Sequence, residues 1–265
     1  MTKALTAYCM VAMAATAVCG PGAPAAWAGE AIELTGRAET ADVLTQQHVA
    51  LGLRISTEVS RQQDPQGKRG WVRIINHTNR YELIAWGPAW DLYFLRPGTR
   101  KYYRMSYVDA LKLRGFVRSN SFAATSALGR PLSSKSVVLR NGRYLQSEFG
   151  GDVLKSTFAF PNVDRQQQVV VAYTLLSLDR PVSEPQRNIV FRYFHLPVSR
   201  GLPYSLIGKT NTGEKLWNLQ TAKMEVRAVM PPTMRSLAGF AQAKSLVDVT
   251  VADQSDSDLQ QILSL

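Results

Sequence analysis

Between residues 71 and 105 four short apolar runs follow one another, at 71–76, 80–86, 90–95 and 101–105. Only three to five residues separate them, in turns at Asn76-His77-Thr78-Asn79, Gly87-Pro88-Ala89 and Arg96-Pro97-Gly98-Thr99. Strands joined this closely must run antiparallel, because a parallel pair needs a crossover of about a dozen residues or more. The Pro-Gly pair of the third turn suits a tight reversal. This stretch is therefore an antiparallel meander.

The meander is apolar on both sides. In Trp90-Asp91-Leu92-Tyr93-Phe94-Leu95, alternate positions place Trp90, Leu92 and Phe94 on one face and Tyr93 and Leu95 on the other. The preceding run sets Tyr81, Leu83 and Ala85 against Ile84 and Trp86. A sheet with one wet face needs apolar residues on one parity only. Here one face is expected to meet helices, the other a second layer, a partner or a ligand. For any single residue, ordinary core packing is the competing reading.

Strand patterns continue on either side. Residues 48–59 alternate as one strand carrying Val49, Leu51, Leu53, Ile55 and Val59 on one parity, while 31–47 reads as a short helix capped at Asp42. Ser106 followed by Asp109 reads as a helix start, opening a helical insert that runs to about Gly129-Arg130-Pro131. Asn141-Gly142 signals a hairpin between strands at 136–139 and 143–149. Further strands are expected at 153–160, 188–196, 202–209 and 215–230, and 166–178 reads equally as strand or helix. A short helix at 236–246 and an edge strand at 247–251 close the pattern, and 253–265 is a polar tail.

The N-terminus reads as an export signal. Lys3 precedes an Ala-rich apolar run over 4–18, and Ala26-Trp27-Ala28 fits a signal-peptidase site with cleavage before Gly29. Lipidation at Cys19 is the lesser alternative, because Val18 and Thr16 stand where a lipoprotein signal prefers a small residue and Leu. Cleavage removes both cysteines, Cys9 and Cys19, and with them any disulfide or thiolate chemistry. It also removes Lys3, leaving 30 basic and 20 acidic residues, a net charge of +10. No later run approaches the ~18 apolar residues of a membrane helix. A periplasmic or secreted, basic protein is expected. Its 45% hydrophobic content supplies a core, and its 19% charged content excludes a solvated coiled coil.

Catalytic and metal motifs fare poorly. Gly208-Lys209-Thr210 lacks the glycine five residues earlier that a phosphate loop needs, since position 203 is Pro. His48, His77 and His195 have neither the i, i+4 spacing of a helical metal pair nor a cysteine nearby. No Gly-x-Ser-x-Gly elbow occurs. No catalytic residue, metal ligand or cofactor is therefore assigned. The densest basic stretch, Arg96 to Arg118, interleaves with Tyr102, Tyr103 and Tyr107. Its two readings are a solvated face with stems lying over rings, and contact with an anionic membrane or envelope polyanion; nucleic acid is not expected for an exported chain.

The strand, Pro-containing turn and strand of residues 90–103, followed by a helical insert, resemble the LolA/LolB-like periplasmic lipoprotein carriers and lipid-binding proteins. Gly201-Leu202-Pro203-Tyr204 is similar to that group's Gly-Leu-Pro strand entry. The usual Asp-Gly turn before Trp90 is replaced by Gly87-Pro88-Ala89, and the C-terminal Phe-x-x-Pro ending is absent. The resemblance implies an α+β fold over 29–252, a curved antiparallel incomplete β-barrel (half-barrel) with helices covering its concave face. It implies a monomeric, non-enzymatic binder of a lipid or lipoprotein acyl chain. The expected apolar lining is Trp71, Tyr81, Trp86, Trp90, Phe94, Tyr103, Phe191 and Tyr193, with Arg100, Lys101 and Arg104 as anion contacts at the rim. The alternatives are an envelope scaffold using the sheet to bind a protein or polyanion, and a hydrolase with an unrecognised site.

Overall fold

A computed structural model describes residues 38–49, 52–61, 68–113, 128, 130–140, 142–150, 170–232 and 237–251. The leader over 1–28, the strand expected at 153–160, most of the helical insert and the tail over 253–265 lie outside the described residues.

The described residues form one open sheet of twelve strands. In chain order these are β1 (Glu39–His48), β2 (Leu53–Ser60), β3 (Trp71–Asn76), β4 (Tyr81–Trp86), β5 (Leu92–Arg96), β6 (Lys101–Met105), β7 (Ser133–Leu139), β8 (Gly142–Gly150), β9 (Val170–Leu178), β10 (Leu202–Thr210), β11 (Lys215–Val229) and β12 (Ala241–Gln242). Three helices join them: α1 (Tyr107–Lys112), α2 (Glu184–Tyr193) and α3 (Val247–Thr250). Across the sheet the order is β12-β6-β5-β4-β3-β2-β1-β11-β10-β9-β8-β7. Every described pairing is antiparallel except the short β12–β6 contact. Among the described residues the ends, β12 and β7, do not pair, so the sheet they form does not close.

The sheet is bent. α2 packs against both β3 and β10, which three strands separate. In a flat sheet they would stand about 19 Å apart, at about 4.8 Å per strand. A helix about 10–12 Å across cannot touch both unless the strands curve toward it. The main core occupies this inner side and joins Leu44, Ile55, Ile74, Leu83 and Phe94 to Tyr144, Tyr173, Leu206 and Leu219, with Ile189, Val190 and Phe191 of α2 among them.

The four-strand meander stands as expected, with Trp71 paired to Trp86, Ile84 to Tyr93 and Phe94 to Tyr103. Ser106 caps α1 by accepting the Asp109 amide. Leu139 pairs with Gly142, confirming the hairpin there. The stretch that read either way contains strand β9.

Four expectations need correction. The segment ending at Gln47 is not a helix: Glu39–His48 is a central strand, paired along its length to β2 and β11, and that pairing outweighs its helical composition. Nor is 48–59 one strand. β1 and β2 form a hairpin pairing His48 with Leu53, and Gly52 next to that pair has a φ of +61°, open to glycine at little cost. The expected strand at 188–196 is largely helix α2, nucleated by a capping box in which Ser183 accepts the Gln186 amide and Gln186 accepts the Ser183 amide. At the C-terminal end, Ala241–Gln242 is the strand and Val247–Thr250 the helix, the reverse of the expected order.

Candidate functional site

The register sorts the strand side chains into rows. One row on the inner face runs Leu44–Thr57–Ile74–Leu83–Phe94–Tyr103 across six strands. Apart from Thr57, which donates to Gln46 Oε1 at 2.8 Å, it is apolar. The next row toward the β3–β4 turn runs Gln46–Ile55–Asn76–Tyr81. One register step beyond the Glu82–Leu95 pair, Arg96 continues it beside Tyr81, and Lys101 pairs with Arg96. Strand alternation thus sets a largely polar row beside an apolar one.

The polar row anchors α2 and the far strands. The Tyr81 and Tyr193 hydroxyls lie 3.0 Å apart, and Asn76 Nδ2 donates to Tyr193 at 3.2 Å. Burial pushes both phenols above their usual range, Tyr193 the further, so both stay protonated. Gln46 Nε2 donates to the Pro203 carbonyl at 2.8 Å, tying β1 to β10. At the other end of α2, Gln186 Nε2 donates to the Ser60 carbonyl and hydroxyl and to the Trp71 carbonyl. Polar contacts at both ends therefore hold the helix to the β2–β4 side of the sheet.

Arg96 is the unusual member. Only 6% of the residue is exposed, on an apolar face. Its Nε donates to the Val249 carbonyl of α3 at 2.7 Å, and its Nη2 is buried with no hydrogen-bond partner. Arg96 also lines a cleft of about 630 Å³ between the β3–β4 turn and the β5–β6 turn, with Asn79, Arg80, Tyr81, Pro97 and Thr99 in its wall. Sequence reasoning assigned Arg96 only to a turn and a basic stretch. The missed signal was parity: in Leu92-Tyr93-Phe94-Leu95-Arg96 it follows Leu92 and Phe94 onto the buried side.

The expected lining residues do not share one surface. Tyr81, Trp90, Phe94, Phe191 and Tyr193 belong to the main core, and Tyr103 packs at its edge. Trp90 precedes its strand in a left-handed conformation, and Phe191 and Tyr193 reach the core from α2. Trp71 and Trp86 lie on the opposite face, packed with Ala41 and Val43. Trp86 stacks on Tyr93 at 5.0 Å between ring centroids. Of the expected rim residues, Arg104 is bound to Asp91 through Nε at 2.9 Å and Nη2 at 2.5 Å. Arg100 and Lys101 are exposed.

His48 is buried at the end of β1, and its pKa is lowered to about 4, chiefly by burial and in part by the nearby His195, against a backbone hydrogen bond that raises it. Among the described residues no group of three or more His, Cys, Asp or Glu is placed to hold a metal ion. No described helix is long and apolar enough to cross a membrane.

No family model matches the chain, and no curated protein matches it. Among solved structures it is similar to an uncharacterized conserved protein from Thermus thermophilus, at 10% identity and a TM-score of 0.36, over 81% of this chain and 90% of that one. It is also similar to LprF from Mycobacterium bovis, at 11% identity and a TM-score of 0.26, over 74% of this chain and 90% of that one. Likenesses this distant do not bear on function.

Proposed function

We propose that this chain is an exported, non-enzymatic binding protein that holds a lipid or lipoprotein acyl chain against the inner face of its bent sheet, with helices as the cover. The observation that carries the reading is the run of apolar side chains along the inner face. It runs from Tyr103 on β6 to Leu44 on β1, and resumes through Leu219, Leu206, Tyr173 and Tyr144 on β11 to β8. Partly buried apolar side chains border it, including Leu53, Met105, Tyr107, Val170, Tyr204 and Leu246. An acyl chain entering among them gains about 0.8 kcal/mol for each CH₂ taken from water. The export reading rests on the N-terminal pattern, and the binding reading agrees with the resemblance drawn from residues 90–103 and 201–208.

The test is native mass spectrometry of the protein purified from a periplasmic extract, followed by organic extraction and lipid analysis. A stoichiometric co-purifying lipid is the expected result. Protein that stays lipid-free when offered excess mixed envelope lipids refutes the reading.

One observation favours the scaffold alternative. β7 is an edge strand with Val138 76% exposed, and Leu132 beside it is 78% exposed. An open edge of this kind is a template for strand addition by a partner chain. Lipid-free protein that captures an extended peptide, and loses it on Val138→Pro, would establish that alternative.

A further inference from the structure

We propose that the cleft between the β3–β4 and β5–β6 turns is an anion site for a phosphate group carried on a larger molecule, with Arg96 as its buried donor. The inference does not depend on acyl-chain binding, since a small phosphate ester would satisfy the same contacts.

Three observations support it. The first is the state of Arg96. A guanidinium carries five N–H donors and cannot shed its charge. Here Nε is satisfied by one carbonyl, Nη2 is buried without a partner, and none of the ion pairs among the described residues includes Arg96. As a rule buried charges are paired or hydrogen-bonded, because an unpaired one is strongly penalised. The second observation is the pairing of Arg96 with Lys101 across β5 and β6. Like charges directly opposite one another destabilise a sheet, and an anion shared between them relieves the repulsion. The third is the cleft itself, which Arg96 lines and to whose wall Arg80 adds another exposed cation.

The one carboxylate in the wall does not neutralise these cations. Glu82 has outer-face parity, and its Oε2 receives Arg73 Nε at 3.0 Å and Arg73 Nη2 at 2.9 Å. The volume, about 630 Å³, falls among sites for small organic ligands and far exceeds what a bare phosphate needs. Phosphate suits the donor set better than carboxylate does. Its oxygens diverge tetrahedrally toward cations on separate turns and strands, whereas a carboxylate presents two oxygens in one plane.

The experiment is equilibrium dialysis of the full chain at low ionic strength against three probes: inorganic phosphate, dodecyl phosphate below its micellar concentration, and neutral dodecyl maltoside. Inorganic phosphate is expected to bind, more weakly as salt rises, and at least tenfold more weakly to Arg96→Gln. Arg80→Gln and Lys101→Gln alter exposed residues and are each expected to weaken phosphate about threefold, so the test survives if Arg96→Gln fails to fold. Dodecyl phosphate binding at least tenfold tighter than phosphate assigns the group to a lipid headgroup. Equal affinity assigns it to a free or small-molecule phosphate; both outcomes uphold the anion site. No phosphate binding by the folded protein at about 50 mM, or binding unchanged in Arg80→Gln and Lys101→Gln, overturns it. Dodecyl maltoside separates the two proposals: if it binds while phosphate does not, the acyl-chain reading stands and the anion site falls.

Discussion

Tyr193→Phe tests whether the polar row fixes α2 on the sheet. The substitution removes one oxygen and leaves the ring in place, so it creates almost no cavity. Tyr193 is 2% exposed, and its hydroxyl accepts from Asn76 Nδ2 at 3.2 Å while lying 3.0 Å from the Tyr81 hydroxyl. Its loss takes a partner from two buried groups at once. A buried polar group left without its bond costs about 1–3 kcal/mol, so Tyr193→Phe is expected to cost about 2–3 kcal/mol. Tyr81→Phe leaves Tyr193 still accepting from Asn76, and should cost about 1 kcal/mol. The double variant should cost less than the two single variants together, because both delete the same Tyr–Tyr bond. Urea denaturation followed by tryptophan fluorescence reads all three. If Tyr193→Phe lies within about 0.5 kcal/mol of the parent, or Tyr81→Phe proves the costlier change, the network does not hold the helix.

Three further outcomes are expected. Because burial lowers the His48 pKa from 6.5 to about 4, the unfolded chain binds the extra proton first. Stability is therefore full above about pH 6.5 and falls by roughly 3 kcal/mol toward pH 4, at about 1.4 kcal/mol per pH unit; His48→Gln should flatten that slope in urea titrations across the window. Gly201→Ala places a Cβ 1.8 Å from the Leu178 carbonyl oxygen at a φ of +72°, whereas Gly52→Ala at +61° meets nothing within 4 Å. The first should cost at least about 3 kcal/mol or prevent folding and the second about 1 kcal/mol, and equal melting temperatures would refute the contrast. Ser183→Ala removes the capping box that opens α2 and should cost about 1 kcal/mol, read as a lower melting temperature.

The local elements that the sequence made readable are those whose signal lies within a few residues. The turns at His77–Arg80 and Pro97–Thr99, the Ser106 cap and the Leu139–Gly142 hairpin each carry their chemistry in adjacent positions. β1 was misread because its strand character comes from partners far along the chain. Thr45 pairs with Ser56 on one side and Lys223 on the other. α2 was misread for a different reason. Ile189, Val190 and Phe191 look like strand residues, and the deciding signal was Ser183-Glu184-Pro185-Gln186, a capping box with proline in the first turn, just ahead of them. Trp71 and Trp86 share aromatic character with Tyr81, yet parity and register put them on the far face.

The inner face offers two chemistries side by side, and no single strand reveals this. Gln46, Asn76, Tyr81 and Arg96 lie on four different strands, and no one strand shows that they belong together. Only the register joins them into a row, one step from the apolar row of Leu44, Ile74, Leu83 and Phe94. Three members of the polar row spend hydrogen bonds on α2 and β10. Arg96 alone keeps a buried donor beside a cleft. A ligand that matches this surface is amphipathic, with its apolar part along one row and its anionic part at the end of the other. The two proposals therefore make a joint demand. If dodecyl phosphate binds, Arg96→Gln should weaken it at least tenfold, toward the affinity of a neutral dodecyl chain, and it should not fall below that level.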